Sequence, residues 1–385
     1  MKKIDIVLGL GFGDEGKGAT VNSLITDPNN TLVVRFNGGH QVGHTVVHNN
    51  IRHPFSNFGS GTLKGVSTYW SEFCTVNPMA VKKEGEVLCK LGLKPLIYFD
   101  ANAMVTTPYD IYHNIRDNNN IIHGTVGVGF GKTIQRNDEH FHLYARDLLY
   151  PKIRDEKLNL IAKYFNHNLL LDNTSKNPNT FTNKWNRIIG EFKKSCDYLV
   201  EHHEIVNSFN SINVWNNDII FEGGQGIMLD MDYGFFPNVT RSSTTSKNAV
   251  ALINKWGLND RYINTYYVTR AYQTRHGNGF MSNENIDNSF IKINPNETNT
   301  DEGTQGKFRR AVLDINQLQY AIDCDEYHNH YNNRKILVVT CLDHVDEEFP
   351  VTLDGNVIRL NVDDIANRLM INNKFTSFSE KGFQY

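Results

Sequence analysis

The chain has 385 residues, of which 39% are hydrophobic and 21% are charged, and its formal net charge is −3. This composition is close to that of ordinary globular proteins, so it excludes a wholly disordered chain. The near-neutral net charge excludes a strongly basic protein of the kind that binds nucleic acid or an anionic membrane surface through its overall charge. No stretch approaches the roughly 20 apolar residues that a membrane-spanning helix needs. We therefore expect no nucleic-acid partner and no membrane partner.

The cysteines and the first residues bear on the compartment of the protein. The five cysteines lie far apart and form no Cys-x-x-Cys pair; they are Cys74, Cys89, Cys196, Cys324 and Cys341. We interpret them as free thiols, which favours a reducing compartment over a disulfide or zinc framework. Asp5 interrupts the first apolar run and further acidic residues follow, so we expect no secretory leader. The predicted localisation is cytoplasmic.

Short β-rich segments that end in glycine-rich or polar turns recur along the chain. They cover residues 4–8, 31–36, 218–222, 263–269 and 335–340. Near-continuous apolar runs of this kind favour a parallel sheet that is covered on both faces. Helical patterns lie between them, at residues 18–26, 158–165, 185–202 and 314–323. This alternation predicts an α/β fold with a mostly parallel central sheet and helices on both faces.

The domain organisation follows from the polar stretches between these elements. We predict a single α/β domain over residues 1–385, with inserted helical or lid segments at about 100–210 and 278–301. Residues 166–184 and 278–301 are polar and weakly periodic, which is typical of linkers or lids. In such sheets, ligands bind outside the carboxyl ends of the strands. The glycine-rich turns fall at these ends, so the functional site is expected there.

The first turn, residues 11–18, reads Gly-Phe-Gly-Asp-Glu-Gly-Lys-Gly and has the Gly-x4-Gly-Lys spacing of a phosphate loop. Its backbone N–H groups and the following helix N-terminus favour phosphate oxygens. Gly18 stands where nucleotide hydrolases carry a magnesium-binding Ser or Thr. Asp14 and Glu15 add negative charge, which is costly at an anion site unless the carboxylates bind a metal or take part in chemistry. We predict a modified phosphate loop, and a glycine-rich turn with solvated acids is the alternative.

The second turn, residues 38–45, reads Gly-Gly-His-Gln-Val-Gly-His-Thr and again follows a strand directly. His40 and His44 are four residues apart, which would suit a zinc site on a helix, but three glycines disfavour a helix here. A buried histidine with a structural role is the ordinary alternative for either residue. Next to a phosphate loop, a histidine that donates to a transferring phosphoryl group is the more attractive hypothesis.

The third motif, residues 221–226, reads Phe-Glu-Gly-Gly-Gln-Gly, and residues 237–245 add Pro-Asn-Val-Thr-Arg-Ser-Ser-Thr-Thr. Alone, the second stretch is typical of a flexible turn. In this order, however, the motifs together resemble the adenylosuccinate synthetase family. Further matches are Ala-Tyr-Gln-Thr-Arg-His-Gly-Asn-Gly at 271–279, Gly-Thr-Gln-Gly-Lys-Phe-Arg-Arg at 303–310 and Thr-Cys-Leu-Asp at 340–343. The resemblance covers nearly the whole chain.

The resemblance implies a ligase that joins L-aspartate to the 6-position of inosine monophosphate (IMP), using GTP and Mg²⁺ and a 6-phosphoryl intermediate. Asp14 matches the residue that removes the N1 proton and binds magnesium together with the carbonyl of Gly43. His44 matches the general acid, and Gln225 matches a residue that positions the nucleotide. These three side chains, Asp14, His44 and Gln225, are the predicted catalytic residues. The 6-oxygen attacks phosphate only after N1 loses its proton, and it leaves only once phosphorylated, so a carboxylate beside a triphosphate suits the reaction.

The resemblance also implies binding residues and an oligomeric state. Residues expected to bind nucleotides and phosphates are Gly13, Glu15, Gly16, Lys17, Gly18, Gln41, Thr45, Thr125, Val126, Arg136, Thr240, Cys341 and Asp343. Residues expected to bind aspartate are Thr304, Gln305, Gly306, Lys307 and Arg309. Cationic side chains can bind the carboxylates of aspartate, and the carboxylate of Asp343 can accept hydrogen bonds from the N–H groups of guanine. Family members are homodimers that complete each site with a partner arginine, and Arg136 or Arg146 are the candidates here.

Several positions depart from the family pattern. Gln41 replaces an Asn, Lys307 replaces an Arg, and Cys341 replaces a Lys near the base. Val126 and Val128 replace a hydroxyl residue and an arginine in a phosphate-contacting stretch. With the short chain, these departures are typical of a compact, divergent branch of the family that includes viral 2-aminoadenylosuccinate synthetase.

Three functions stay open on the sequence. The first is an adenylosuccinate synthetase acting on IMP, which Asp14 favours because viral members often carry Ser there to make room for a 2-amino group. The second is a 2-aminoadenylosuccinate synthetase acting on dGMP with ATP, dATP or GTP, which the compact chain and the altered phosphate contacts favour. The third is a nucleotide-binding regulator without activity, which the retained Asp14, His44 and Gln225 disfavour.

Overall fold

The computed structural model describes residues 2–117, 126–166, 178–212, 217–292, 294, 297, 306–331, 334–379 and 381–383. Its strands are β1 (Lys3–Gly9), β2 (Thr31–Arg35), β3 (His44–His48), β4 (Ile51–Phe55), β5 (Thr68–Trp70), β6 (Thr75–Val76), β7 (Ile97–Asp100), β8 (Met104–Val105), β9 (Glu204–Val206), β10 (Asp218–Glu222), β11 (Tyr262–Arg270), β12 (Gln273–His276), β13 (Phe308–Ala311), β14 (Leu313–Asp314), β15 (Arg334–Thr340), β16 (Phe349–Leu353), β17 (Asn356–Leu360) and β18 (Asn373–Thr376). Its helices are α1 (Lys17–Leu24), α2 (Pro78–Lys90), α3 (Pro108–Arg116), α4 (Phe130–Asp138), α5 (Pro151–Tyr164), α6 (Pro178–His202), α7 (Lys247–Trp256), α8 (Ile315–Glu326) and α9 (Val362–Arg368).

A nine-stranded sheet forms the centre of the molecule, in the order β18-β15-β11-β1-β10-β2-β5-β7-β9. Every neighbouring pair in this sheet is parallel. The five segments predicted from the sequence correspond to β1, β2, β10, β11 and β15, which lie side by side in it. The mostly parallel central sheet is confirmed, and the carboxyl ends of these five strands share one edge.

Helices cover both faces of the sheet. On β1, Ile4 and Leu8 belong to the main hydrophobic core, together with apolar residues of α7 and α8. Val7 faces the other side, where it joins Val21 and Leu24 of α1. Successive side chains of a strand point to opposite faces, so burial on both faces explains the almost unbroken apolar sequence of this strand. The prediction of helices on both faces is confirmed.

The segment predicted as an insertion at about 100–210 is mostly helical in its described part and contributes to a second hydrophobic cluster. Trp185, Phe192 and Leu199 of α6 pack there with Trp70 of β5 and Phe99 of β7, two strands of the main sheet. β9, from the end of this segment, pairs with β7. The segment is therefore continuous with the edge of the central sheet, and its status as an insertion stays a prediction.

Element boundaries differ from the sequence prediction in the polar regions. The sequence predicts a helix at 158–165, but α5 begins at Pro151, since proline suits the first turn of a helix. α6 begins at Pro178, so the end of the predicted linker at 166–184 is helical instead. In the described part of the predicted lid at 278–301, Asn283 Nδ2 donates to Thr352 Oγ1 at 2.7 Å, which ties this stretch to β16.

Smaller sheets that the sequence does not predict flank the central one. β3 and β4 form an antiparallel hairpin, β12 and β13 form an antiparallel ribbon, and β14, β16 and β17 form a third small sheet. The hairpin and the ribbon each begin or end at a predicted motif. Within the described residues, no helix is both long enough and apolar enough to cross a membrane.

Candidate active site

The phosphate loop connects β1 to α1 and is closed by its own side chains. The Gly13 N–H donates to Glu15 Oε1 at 2.7 Å. Lys17 Nζ donates to Glu15 Oε2 at 3.0 Å and to the Gly13 carbonyl at 2.8 Å. Gly16, with a φ of 91°, begins the helix. The Glu15 carboxylate therefore occupies the kind of anion cradle that the Gly-x4-Gly-Lys spacing predicts.

Gly18 lies in the first turn of α1, where β3 approaches the helix closely. A Cβ atom at Gly18 would lie 2.8 Å from His44 Cβ and 2.9 Å from Ser60 Oγ. These distances are shorter than van der Waals contact, so a Ser or Thr at this position would displace His44. The missing magnesium-binding hydroxyl of this phosphate loop therefore has a steric cause.

A buried carboxylate holds His44, the first residue of β3. His44 Nδ1 lies 2.5 Å from Oε1 of Glu222, the last residue of β10. Glu222 also accepts a hydrogen bond from the Ser60 backbone N–H at 3.0 Å and another from the Ser60 hydroxyl. The sequence prediction included His44 but missed Glu222 and Ser60. The position of Glu222 at a strand end, inside a motif, is the signal that could have identified it.

The charges around this pair determine where its proton lies. Burial alone would raise the pKa of Glu222, but His44 and Arg35 lower it to about 2. Burial lowers the pKa of His44 to about 4, with Arg35 acting in the same direction and Glu222 against it. Because an ionised carboxylate only accepts hydrogen bonds, neutral His44 carries its proton on Nδ1. His44 Nε2 is buried and has no hydrogen-bond partner in the structure.

Asp14 lies in the phosphate loop with its side chain 25% exposed. Its Oδ2 lies 3.7 Å from Nε2 of His276, at the end of β12, and its backbone carbonyl accepts from Arg270 Nε, at the end of β11. Burial raises the pKa of Asp14, against the opposing effects of Arg270 and His276. A partly exposed carboxylate that is more basic than usual is suited to taking a proton from a ligand.

Two glutamine side chains meet over Gly38. Gln225 has a left-handed φ of 56°, and its Nε2 donates to Thr240 Oγ1 at 2.9 Å. A Cβ atom at Gly38 would lie 3.4 Å from Gln225 Oε1 and 3.7 Å from Gln41 Nε2. Gln225 Oε1 and both amide atoms of Gln41 are buried and have no partner in the structure. Buried polar atoms are normally paired, so these atoms are available to bound water or to a ligand.

Asn37 ties the second motif to the third. Its Nδ2 donates to the Gly224 carbonyl at 3.0 Å, and its Oδ1 accepts from the Gly224 N–H at 2.7 Å. The Gly38 N–H donates to Ser242 Oγ at 3.1 Å. These bonds hold the two glutamine-bearing loops together. Sequence reasoning missed Asn37, although it lies just beyond the end of β2.

The carboxyl end of β15 carries the turn predicted to read the base. Cys341 has a left-handed φ of 58°, and burial raises the pKa of its thiol. The Asp343 side chain is 43% exposed. Thr340 Oγ1 donates to the Glu15 carbonyl at 2.8 Å, which fixes the turn to the phosphate loop. An exposed carboxylate at this place can accept hydrogen bonds from the N–H groups of a base.

The β12–β13 ribbon carries the described part of the predicted aspartate loop. The Gly277 N–H donates to the Lys307 carbonyl at 3.0 Å. Arg309 Nη1 donates to Glu284 Oε1 at 2.5 Å, and its Nη2 donates to the Gly279 carbonyl at 2.8 Å. The Arg309 guanidinium is therefore already paired with a carboxylate of its own chain. Three predicted residues lie outside the described residues, namely Thr125, Thr304 and Gln305.

The remaining predicted residues lie around these groups. Gly43 is exposed just before β3, Thr45 is half-buried on that strand, and Gly306 is exposed before the ribbon. Val126 is half-buried where the described part of its glycine-rich stretch begins. Phe130 of the same stretch approaches the second motif, because a Cβ atom at position 39 would lie 3.2 Å from its ring.

Comparison with known proteins identifies the family. A model of the adenylosuccinate synthetase family matches residues 6–354. The chain belongs to the adenylosuccinate synthetase family. It is 30% identical to the adenylosuccinate synthetase of Thermoplasma volcanium over 327 residues, which cover 83% of this chain and 72% of that protein. It is 29% identical to the Helicobacter pylori enzyme over 327 residues, which cover 82% of this chain and 75% of that protein. This is a family of nucleotide-binding C–N ligases of purine biosynthesis.

Two solved structures share the fold. The fully ligated adenylosuccinate synthetase of Plasmodium falciparum aligns with a TM-score of 0.72 and 18% identity, over 98% of this chain and 97% of that one. The succinoaminodeoxyadenylate synthetase of cyanophage S-2L, bound to dGMP and to dATP as an energy donor, aligns with a TM-score of 0.65 and 14% identity, over 99% and 93%. At these identities, the likeness confirms the fold alone.

One residue that the family resemblance suggested for nucleotide binding is enclosed in its own subunit. Arg136 Nε and Nη2 donate to the two carboxylate oxygens of Asp110 at 2.9 and 3.1 Å. Nη2 also donates to the Val105 carbonyl at 2.9 Å, and Nη1 donates to the Phe141 carbonyl. Arg136 is 0% exposed. It therefore presents no exposed donor to a nucleotide or to a partner subunit, and the prediction for Arg136 is corrected.

The family resemblance also implies an arginine that is supplied across a dimer, and Arg146 is the other candidate for it. It is half-buried, its Nη1 donates to Asn102 Oδ1, and its Cζ lies 4.4 Å from the ring centroid of Tyr144. Among the described residues it has no carboxylate partner. The charge of Arg146 is therefore available to bind an anion, whereas the charge of Arg136 is already paired with Asp110.

Proposed function

We propose that this adenylosuccinate synthetase relative joins L-aspartate to C6 of IMP, with hydrolysis of a nucleoside triphosphate through a 6-phosphoryl intermediate. The observation that carries the proposal is the 25% exposed carboxyl of Asp14 in a phosphate loop, with its pKa raised by burial. A carboxylate there can take the N1 proton and so make the 6-oxygen nucleophilic toward phosphate. GTP is the proposed donor, because Asp343 offers acceptors to guanine N–H groups.

His44 supports the phosphoryl-transfer step. Because its Nδ1–H is bonded to Glu222, its unpaired Nε2 is the atom that meets the substrate. A triphosphate on the adjacent loop brings negative charge, which favours protonation of Nε2. Protonated Nε2 then donates a hydrogen bond to the transferring phosphoryl group or to the 6-oxygen. Gln225 binds the nucleotide through its unpaired Oε1 atom, which accepts a hydrogen bond.

Donors of the phosphate loop that are bonded to Glu15 exchange this carboxylate for phosphate oxygens when a triphosphate binds. Lys17 Nζ and the Gly13 N–H are both bonded to Glu15, at 3.0 and 2.7 Å. Phosphate oxygens compete for these donors and carry more negative charge than one carboxylate. We therefore expect them to replace Glu15, so that Lys17 neutralises phosphate charge during the reaction.

The residues present fit Mg²⁺, which we propose as the cofactor. The described residues contain no group of three or more His, Cys, Asp or Glu side chains that could hold a metal. Mg²⁺ is usually bound by one or two carboxylates together with substrate phosphates, and not by a complete protein cage. The partly exposed carboxyl of Asp14 and the exposed Gly43 offer such a partial set. When bound, the ion would neutralise charge on the phosphates.

L-Aspartate is proposed to bind at the loop before β13. Arg309 can bind one carboxylate in bidentate fashion, whereas Lys307 offers a point charge. Aspartate must then compete with Glu284, which lies 2.5 Å from Arg309 Nη1. Thr304, Gln305 and Gly306 complete the proposed loop. We also propose a homodimer in which Arg146 reaches the phosphates of the partner's site.

A second candidate acceptor is dGMP. Both ring nitrogens of His276 are buried and have no hydrogen-bond partner in the part of the chain that the structure describes, and its Nε2 lies 3.7 Å from Asp14 Oδ2. If Asp14 binds N1, a neighbouring ring nitrogen can accept from a 2-amino group, which dGMP has and IMP lacks. The fold match to the cyanophage S-2L enzyme, which is bound to dGMP and dATP, supports the same candidate.

Turnover with IMP and with dGMP, each with ATP and with GTP, tests the proposal. We expect IMP with GTP to give the highest kcat/KM in the presence of L-aspartate, measured by nucleoside diphosphate release. A preference for dGMP would support the second candidate, and no release with any pair would support an inactive regulator. Asp14→Asn should lower turnover by orders of magnitude without unfolding the protein, and turnover within about tenfold of wild type would remove Asp14 from the mechanism.

A further inference from the structure

Arg35, the last residue of β2, is a buried cation that has no hydrogen-bond partner among the described residues. It is 0% exposed, and its Nε, Nη1 and Nη2 atoms are all unpaired in the structure. Its guanidinium lies over Trp70 of β5, with Cζ 5.3 Å from the ring centroid. An aromatic face does not replace the hydrogen bonds that the guanidinium would make in water, so burying Arg35 has a desolvation cost.

The sheet register sets Arg35 beside Glu222. The two residues are partners at the carboxyl ends of β2 and β10. Adjacent strands lie about 4.8 Å apart, and partner residues of a parallel pair point to the same face. The Glu222 oxygens are already bonded to His44 at 2.5 Å and to the Ser60 N–H at 3.0 Å. Arg35 therefore acts on Glu222 through space, in an interior where charges interact more strongly than in water.

The charge of Arg35 is not neutralised by the other acidic group that it influences. Burial raises the pKa of the Cys74 thiol to about 12, against the effect of Arg35, so Cys74 stays neutral. The pKa of Glu222, in contrast, is lowered by His44 and by Arg35. Glu222 is thus the anion that balances this cation.

We propose that Arg35 is a positioning residue: its unpaired charge keeps Glu222 a carboxylate, and this carboxylate fixes the His44 proton on Nδ1 and leaves Nε2 facing the substrate. The protein keeps this charge despite the desolvation cost of burying it. The effect on turnover rests on the proposed function, whereas the effect on the His44 tautomer does not.

Two variants of Arg35 separate its charge from its bulk. Arg35→Met removes the charge, and we expect it to lower kcat at least tenfold, with KM for the purine nucleotide changed less than about threefold. Arg35→Lys keeps the charge and should hold kcat within about threefold of wild type.

Arg154→Met is the matched control. Arg154 is 4% exposed, is paired with Asp197 at 2.6 Å, and belongs to α5, which carries none of the proposed catalytic groups. Its loss should lower the melting temperature and leave kcat unchanged. A packing role for Arg35 predicts that Arg35→Met behaves in the same way, so a lower melting temperature together with an unchanged kcat would overturn the proposal. Wild-type kcat in Arg35→Met, or equal losses in Arg35→Lys, would also overturn it.

Nitrogen-15 NMR of the His44 ring tests the same inference without turnover. We expect a single Nδ1-protonated form in wild type and in Arg35→Lys, and a mixture of tautomers in Arg35→Met. Identical His44 signals in wild type and in Arg35→Met would overturn the proposal. If wild type turned over neither IMP nor dGMP while the signals changed as expected, the proposed function would fail and the assignment of Arg35 would stand.

Discussion

Single residues of the phosphate loop account for the way in which this site departs from an ordinary nucleotide hydrolase. The spacing of the motif predicts the loop, and the sequence shows that Gly18 is unusual. The reason for a glycine there is the close approach of His44 and Ser60 to α1, which no local sequence pattern indicates. Glu15 is equally visible in the sequence. That it accepts from Lys17 and from the Gly13 N–H depends on the loop conformation.

A side chain at Gly18 tests the steric account. We expect Gly18→Ala to lower the free energy of unfolding by about 1–3 kcal/mol, because the packed core resists an added methyl group. That methyl group would lie 2.8 Å from His44 Cβ, so turnover should fall as well. Chemical denaturation and steady-state kinetics measure the two effects.

Gly190→Ala is the matched control for this substitution. A Cβ atom at Gly190, in α6, would meet nothing within 4 Å. Alanine favours a helix over glycine by roughly 0.5–1 kcal/mol, so this variant should be slightly more stable than wild type. Gly18→Ala with wild-type stability would contradict the close approach of β3 to α1.

Among the elements, the five adjacent strands of the central sheet (β15, β11, β1, β10 and β2) could be predicted because their sequences are buried on both faces. The ribbon could not, because β13 reads Phe-Arg-Arg-Ala, which has neither an apolar run nor an alternation. Its pairing with β12, in which His276 lies opposite Phe308, depends on a partner from a separate part of the chain. The same ribbon contributes Arg309, whose pairing with Glu284 the sequence does not indicate.

The ribbon gives a prediction for aspartate binding. Arg309→Leu should raise KM for aspartate by the equivalent of about 2–4 kcal/mol, the magnitude typical of a desolvated, charge-assisted pair. Glu284→Gln should lower KM for aspartate, because it frees the guanidinium of Arg309. The KM for the purine nucleotide should move much less in both variants. Unchanged aspartate saturation in Arg309→Leu would show that this loop is wrongly assigned.

The junction between α6 and β9 gives a prediction for pH dependence. His203 is 6% exposed, its Nδ1 accepts from the Ile97 N–H at 3.4 Å, and burial lowers its pKa to about 4. Between about pH 6.5 and pH 4 the unfolded chain therefore binds a proton that the folded state does not. Stability falls as the pH falls through this window, by up to roughly 3 kcal/mol from this residue.

Unfolding of wild type and His203→Asn at several pH values tests this expectation. Asparagine can keep the acceptor at Nδ1 but does not titrate. The variant should be less stable at pH 7, where it loses ring packing against Phe58 and Phe99. The gap between the two proteins should narrow toward pH 4, and a constant gap would contradict the burial of a neutral His203.

For the molecule as a whole, the parallel sheet brings together motifs that lie far apart in the chain. The order of the motifs and their place at strand ends could be predicted, because the carboxyl ends of parallel strands share an edge. Side-chain partners could not be predicted in this way. Glu222 faces Arg35 only because of the register between β10 and β2, and Arg136 is enclosed by contacts with Asp110 that the motif pattern does not reveal.

Subunit mixing tests the proposed dimer, in which Asp14 of one subunit works with Arg146 of its partner. Asp14→Asn and Arg146→Ala should each be inactive alone. Random mixing puts half of the subunits in mixed dimers, each with one intact site, so activity should recover to about a quarter of wild type. Recovery should require subunit exchange, which size-exclusion chromatography of differently tagged subunits can follow.

Arg136→Ala is the control that distinguishes the two arginines. Because Arg136 is 0% exposed and bidentate to Asp110, its loss leaves a buried carboxylate unpaired and should destabilise the subunit by about 3–5 kcal/mol. Mixing Arg136→Ala with Asp14→Asn should then restore little activity. The Arg136→Ala subunit is itself destabilised, and a partner subunit cannot replace the ion pair that it has lost. Strong recovery with Arg136→Ala and none with Arg146→Ala, in dimers shown to exchange, would reverse the assignment. No recovery with either variant would mean that each subunit carries a complete site.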